Sequence, residues 1–511
     1  MKKSLLYTVL PGLLLTFSAC DLDKYPFSEV TSEEYVKDDA TLNTLVVGCY
    51  NGLHDVMYYE WAVTELRSDN SRMHLNNSTS SQAKLVEQLD QGVINAEHAW
   101  VSDYWNACYR VIDRCNSVLQ HLDKAESVET HNLYRGEALF LRSLEYFNLV
   151  RLWGPVFLVT ERMSSDEARY LQRSDVDEVY SQIESDLNEI ISGNLLPNRQ
   201  TDANLGRADM VATKALLAKV YATHYSVGDG QFNQAIDLCR QVLQSENVGN
   251  PVSGSMMVPY ADVFSTHNEM NREIIFAVRY ISGNVGLGSP FGNLFAPTNN
   301  GANVILGTCS NYNCPSDNIL AAYDLNGGAD VRRNFNIAES YSNATTGETV
   351  TRNARHVKKY LNIDQATNPI TTQYDGDADW PIIRVADIAL LYAELQNELS
   401  GPTSDAMTYL NMVRERAGLP AYTAAEVGSR YDFRNAVRNE RRLELAFENQ
   451  HWFDLLRWGV ATETVNKYLS SEAFYSAYTY NVNPISDWQV MLPVPIDVIN
   501  INPNAAQNVG Y

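Results

Sequence analysis

The chain has 511 residues, with 39 basic against 62 acidic side chains and a formal charge of −23. So acidic a surface excludes nucleic acid or a polyanionic polymer as the main ligand, since like charges repel within a Debye length of about 8 Å at physiological salt. Hydrophobic residues make up 45% of the chain, enough for a sizeable core, and no Pro/Gly/Ser-rich linker divides it, so one compact body with long insertions is expected.

At the N-terminus, Lys2 and Lys3 precede an apolar stretch from Leu5 to Leu15, and Ser18-Ala19 then lead into Cys20. Residues 1–19 read as a secretory signal, too short and wrongly flanked for a membrane-spanning helix. Thr16-Phe17-Ser18-Ala19-Cys20 has the pattern of a bacterial lipobox, in which Cys20 is acylated and becomes the mature N-terminus. No other segment approaches the run of about 20 apolar residues that a span requires. Loss of residues 1–19 removes two lysines and no acid, leaving 37 basic against 62 acidic side chains, a charge of −25. Six cysteines follow, at Cys49, Cys108, Cys115, Cys239, Cys309 and Cys314. Their spacing matches neither a zinc ribbon nor a redox CxxC. Cys309 and Cys314 either bridge within a loop or remain free buried thiols.

The mature body, residues 20–511, divides by character into a helical block over 20–245, a loop-rich insertion over 246–380 and a C-terminal helical block with its tail over 381–511. Helical periodicity dominates from about Ser32 to Leu243 and again from about Ile382 to Trp458. The expected fold is mostly α, with a few short strands. LLAKVYA (216–222) is followed by a turn and FNQAIDLCRQVL (232–243); ALLYAEL (389–395) is followed by AMTYLNMV (406–413). Ala218, Ala222, Ala235 and Ala393 would let such helices approach closely. This pattern is either degenerate tetratricopeptide architecture or two unrelated helical hairpins. Between the blocks, Gly, Asn, Ser, Pro and aromatics become frequent, and EIIFAVRY (273–280) is a strand-like run. A second loop-like stretch runs from Ser68 to Ser81. Irregular insertions on a helical scaffold are where ligands are expected.

The chain carries no GxSxG, P-loop, HExxH or dinucleotide fingerprint, and its nine histidines are dispersed. No cofactor and no metal centre is expected. RNERRLELAFEN (438–449) places Glu440, Glu444 and Glu448 at i, i+4 spacing. Paired carboxylates serve glycoside hydrolysis, but the interleaved Arg438, Arg441 and Arg442, with Asp454 and Arg457 following, favour a structural ion network. DGDADW (375–380) begins like a calcium loop, yet Trp380 stands where glycine is needed and Ala386 where a glutamate is needed. A polar loop is expected there instead.

The 30 tyrosines and eight tryptophans supply many flat faces. Rings flanked by Asn, Asp and Arg suit sugars, whose apolar C–H faces are rimmed by hydroxyls. Tyr58, Tyr59 and Trp61 ahead of the first loop, and Phe291, Phe295 and Tyr312 in the insertion, are the expected stacking residues. Asp69, Arg72 and Asn311 are the expected partners of the hydroxyls.

Several segments together resemble the SusD/RagB family over nearly the whole chain. They include CDLDKYP at the mature N-terminus, RSDN (67–70), YRVIDRCN (109–116), GEALFLRSLEYFNLVRLWGPVFLVTE (136–161) and GRADMVATKALLAKVYA (206–222). The C-terminal half adds IIRVADIALLYAEL (382–395), LNMVRERAGLP (410–420), RNERRLELAFENQHWFDLLRWG (438–459) and MLPVPIDVININPNAAQNVGY (491–511). The resemblance implies a monomeric lipoprotein of the outer membrane, on the cell surface, with tetratricopeptide-like helices as scaffold. It also implies a lid over a SusC-like TonB-dependent transporter, to which captured oligosaccharides pass. The family's ligand residues sit in variable loops, so no site motif carries over. Peptide capture is the alternative, as in other members. A surface glycoside hydrolase would need a loop carboxylate pair about 5–10 Å apart, and nothing in the sequence brings loop acids such as Asp69 and Asp317 together.

Overall fold

The structure is a computed structural model that describes residues 35–73, 80–245, 259–361, 370–471 and 483–511. Cys20 and the export segment lie outside the described residues. Eight helices form the scaffold: Asp39–Thr64 (α1), Ala99–Gln120 (α2), Val128–Trp153 (α3), Val176–Gly193 (α4), Met210–His224 (α5), Gly230–Leu243 (α6), Val385–Ser400 (α7) and Ser404–Arg416 (α8). Each packs against the next, from α1 on α2 through to α7 on α8. The two helix pairs recognised by periodicity, α5–α6 and α7–α8, are thus consecutive members of one stack. The contact of α6 with α7 bridges the whole insertion between them.

Local chemistry sets the helix ends. Asp38 and Thr41 form a capping box at α1, and Ser127 and Asp209 cap α3 and α5 through the N–H groups of Thr130 and Ala212. Gly154 ends α3 at φ 70°, in the left-handed region that favours glycine. Small residues permit close approach, because a Cβ on Gly52 of α1 would stand 2.7 Å from Val111 Cγ2 on α2. Ala218, Ala235 and Ala393 are fully buried between helices, while Ala222 is partly exposed.

The second helical stretch begins later than periodicity suggests. Ile382 and Ile383 belong to a strand, Trp380–Arg384 (β3), which pairs antiparallel with Ile274–Val278 (β2) from EIIFAVRY. β-Branched side chains and Pro381 favour the extended backbone, and every residue of β2 is buried. A shorter ladder joins Ser71–Arg72 (β1) to Cys314–Pro315. Beyond α8, Arg430–Glu444 (α9) and Gln450–Arg457 (α10) pack into the body. RNERRLELAFEN is not helical throughout: α9 stops at Glu444, and Phe447 and Asn449 take left-handed φ of 64° and 63°.

The last described stretch returns to the first helices. Trp153 Nε1 donates to Pro493 O (2.8 Å), Leu492 N to Leu152 O (2.7 Å), and Asn508 Nδ2 to Trp153 O (2.9 Å). Arg67 Nη2 donates to the carbonyls of Gln489 (2.8 Å) and Val490 (2.9 Å). The six cysteines after Cys20 are all buried free thiols, Cys309 and Cys314 included.

Candidate ligand-binding site

Two acidic motifs fix the ground on which a site is built. Glu440 and Glu444 of α9, and Glu448 just after it, are all buried. Arg332 Nη1 donates to Glu440 Oε1 (2.6 Å) and Glu444 Oε2 (3.1 Å). Arg384 donates to Glu444 Oε1 (2.6 Å) and Glu448 Oε2 (2.7 Å), Arg416 joins Glu444 to Glu273, and Lys359 pairs with Glu448. Burial alone would raise the Glu444 carboxyl, but Arg416, Arg384 and Arg332 outweigh it and hold it well below the usual range. These carboxylates are occupied by cations and tie α9 to α8, β3 and the insertion. They are structural.

The aspartates of DGDADW do something different. Asp379 Oδ1 accepts the Tyr280 N–H (2.8 Å) and Asp377 Oδ1 the Ser282 N–H (2.6 Å). Asp375 Oδ2 accepts the N–H groups of Gly283 (2.9 Å) and Asn284 (2.8 Å). Alternate residues of an extended chain face one side, so the three carboxylates prolong the β2–β3 ladder beyond its final pair, Val278 and Trp380. The loop is polar and braced, and among the described residues no group of three His, Cys, Asp or Glu is placed to hold a metal ion.

Most of the expected sugar contacts are interior. Trp61 has 0% exposure and meets Trp100 edge-on at 5.9 Å and Phe295 at 5.0 Å. Phe291 and Phe295 are equally buried, packed against Trp380 and Tyr360, which stack on each other at 4.1 Å. Tyr312 is also buried. These rings join the insertion to the scaffold and have no face to offer a sugar. Asp69 is buried against Arg442 Nη2 (2.8 Å) and His451 Nε2 (2.7 Å). Burial pushes its carboxyl up, yet the Arg442 guanidinium and the contact with His451 outweigh it and bring it to about 2. Arg72 is buried within β1. Asn311 is buried with φ 51°, its amide directed at the carbonyls of Phe295 and Arg355. These seven, expected on open loops in contact with ligand, are instead interior, because the described parts of both segments fold inward.

Tyr58 and Tyr59 are different, being only half-buried near the C-terminal end of α1. Their rings meet edge-to-face at 5.1 Å, and both pack on buried Trp100. Gln82, exposed in the first turn of the helix Ser81–Asp90, donates from Nε2 to Tyr58 Oη (3.2 Å). Burial raises the Tyr58 phenol, and the neighbouring phenols of Tyr374 and Tyr312 add to the rise. Burial and the Asp103 carboxylate push the Tyr59 phenol up to about 12. Tyr374 was not anticipated. It is 40% exposed, directly before the DGDADW aspartates, with φ 60°. Tyr58, Tyr59 and Gln82 are thus in mutual contact over buried Trp100, and the Tyr374 phenol lies near enough to raise that of Tyr58. These side chains offer flat apolar rings beside amide and hydroxyl groups.

Comparison with known proteins agrees with this architecture. A model described as the SusD family matches residues 329–511, and one described as starch-binding associating with outer membrane matches residues 22–222. "SusD-like protein P25" of Formosa agariphila is 27% identical, the alignment covering 98% of each chain. A SusD homologue from Bacteroides thetaiotaomicron superposes with TM-score 0.78 at 23% identity, over 95% of this chain and 99% of that one. A laminarin-binding SusD-like protein superposes with TM-score 0.74 at 24% identity, over 93% and 100%. The two family models fall on the first and last helical blocks, the relative aligns end to end, and the solved structures share the fold: the chain belongs to the SusD/RagB family.

Proposed function

We propose that this chain is a cell-surface lipoprotein that captures neutral oligosaccharides and hands them to a SusC-like TonB-dependent transporter in the outer membrane. The observation that carries the reading is the group of partly exposed rings, Tyr58, Tyr59 and Tyr374, backed by buried aromatics and flanked by Gln82. One ring covering about 100 Å² of sugar contributes about 2.5 kcal/mol. Two or three, after association costs, give dissociation constants of about micromolar to millimolar. The chain's charge of −23 favours a neutral ligand over a polyanion. The starch-binding description of one family model and the laminarin-binding neighbour support a glycan.

The test is affinity electrophoresis against neutral polysaccharides, followed by calorimetric titration of Tyr58→Ala. Binding that persists unchanged in Tyr58→Ala removes the platform from this face. Titration of oligopeptides but not oligosaccharides would replace glycan capture by peptide capture. The anchor is tested apart: Cys20→Ala should release the protein from membranes, because no described helix is long and apolar enough to cross one. Several acyl chains are expected on Cys20, since a single chain binds only marginally at about 0.8 kcal/mol per methylene. Retention of the alanine variant after a high-salt wash sinks the anchor.

A further inference from the structure

We infer that Asn293, buried beneath the exposed face, is the positioning residue that aims the Tyr374 ring for stacking on a pyranose, so that the platform is set before ligand arrives. This rests on the glycan-binding reading and asks what holds its most exposed ring.

Tyr374 sits at φ 60°. An aromatic residue keeps that left-handed backbone only where its surroundings impose it. Its peptide N–H donates to Asn293 Oδ1 at 2.8 Å. The amide nitrogen of the same side chain donates to Leu306 O (2.8 Å) and Thr308 O (3.3 Å), and the Asn293 carbonyl accepts the Ser310 N–H (3.0 Å). One buried side chain therefore ties the short helix Phe291–Phe295, the 306–310 run and Tyr374 to a common point.

The flanks of Tyr374 are pinned as well. Gln373 Nε2 donates to Thr308 O (3.3 Å), Asp375 takes two N–H groups of the 283–284 turn, and Gly376 exchanges hydrogen bonds of 2.7 and 3.0 Å with Ser289. These hold the segment, but the Asn293 bond acts on the peptide of Tyr374 itself. Only a carboxamide meets the demand, since two N–H donors and an acceptor are needed at once in a buried place. Leucine supplies neither, and an ionised aspartate would turn an oxygen towards two carbonyls.

Laminarin, soluble starch, xylan and galactomannan are first run in affinity gels with the parent protein. Oligosaccharides of whichever polymer retards it are then titrated calorimetrically against Tyr374→Ala, Asn293→Ala and the double variant. Tyr374→Ala should weaken binding about tenfold, as expected for a lost stacking ring. Asn293→Ala should weaken it about fivefold in the parent but less than about twofold once Tyr374 is alanine, the coupling expected of residues acting through one contact. Equal losses in both backgrounds overturn the positioning role, because general loosening would act without regard to the ring. Asn293→Leu, which fills the same space without donor or acceptor, takes the place of Asn293→Ala in the same cycle if thermal melting shows the alanine variant unfolded. A retarded parent with Tyr374→Ala binding as well as the parent overturns the inference and leaves glycan capture standing. No retardation by any of the four polymers overturns both.

Discussion

The two acidic motifs, Glu440–Glu444–Glu448 and Asp375–Asp377–Asp379, look alike as sequence: three carboxylates at a regular interval. In the fold they solve opposite problems. The glutamates lie where no water reaches, and each is met by arginine or lysine. The aspartates lie nearer the surface and are met chiefly by backbone N–H groups of residues 280–284, with the Arg279 guanidinium adding an ion pair to Asp379 at 3.3 Å. Regular spacing thus reports the period of the backbone, 3.6 or 2 residues, before it reports chemistry. Depth decides the partner.

The largest effect that would break this contrast is expected at Glu444. Glu444→Gln leaves Arg332, Arg384 and Arg416 short of a counter-charge in the interior, a loss of about 3–5 kcal/mol in unfolding free energy. Urea titration checks it, and a change below about 1 kcal/mol would place the helix among ordinary surface ion pairs. Next comes Asp375→Ala, which strips two N–H groups of their acceptor and should cost about 1–3 kcal/mol. Faster amide exchange confined to Gly283 and Asn284 is the expected signature. Exchange that rises across the whole chain would mean that the loop holds up the core.

Acid titration sharpens the comparison, because Asp379 and Glu444 have opposite signs. The Asp379 carboxyl is raised from 3.8 to about 7, first by burial and then by neighbouring Glu269. Between pH 4 and 7 the folded chain holds that proton while the unfolded chain has lost it, so the Asp379 contribution falls as pH rises. Glu444 is depressed below its ordinary 4.5, so its contribution is present above that pH and is lost as pH falls further. Asp379→Asn should flatten the decline of stability between pH 4 and 7, and Glu444→Gln should flatten the acid limb. Parallel profiles for the two variants would contradict the assignment. The smallest effect on stability belongs to Tyr374→Ala, within about 0.5 kcal/mol by thermal melting, as for exposed side chains generally. A larger loss would make that ring part of the core rather than of the proposed binding face.

The helical scaffold was legible because small residues and apolar periodicity sit together in segments such as LLAKVYA. An ion network was expected from the arginines interleaved with the glutamates, but Arg441 turns to Asp387 and Asp454, and the glutamates are met by Arg332, Lys359, Arg384 and Arg416 from other elements. Of the proposed binding face, the sequence singled out Tyr58 and Tyr59 alone. Trp61, Phe291 and Phe295 share the composition of ligand loops, yet they are covered by residues distant in the chain, Trp380 and Tyr360 among them. Burial of that kind leaves no local mark. Tyr374 escaped notice for the complementary reason: its exposure and left-handed backbone follow from bonds to Asn293 and to the turn at 283–284, none of them adjacent in sequence. β3 was hidden inside an apparently helical run, since its identity depends on β2 about a hundred residues earlier.

The bond from Trp153 to Pro493 joins residues 340 positions apart. Each doubling of such a loop adds only about 0.6 kcal/mol of closure entropy, so the link is inexpensive at equilibrium. It is slow to form, however, because long-range contacts must wait for the chain between them to organise. A stack of helix pairs alone would fray from its ends, repeat by repeat. Here the last stretch of chain is fastened to the third helix, and the insertion is closed off by α6 meeting α7. Unfolding the first pairs therefore means releasing the tail as well, and a molecule assembled from repeats should melt as one cooperative unit.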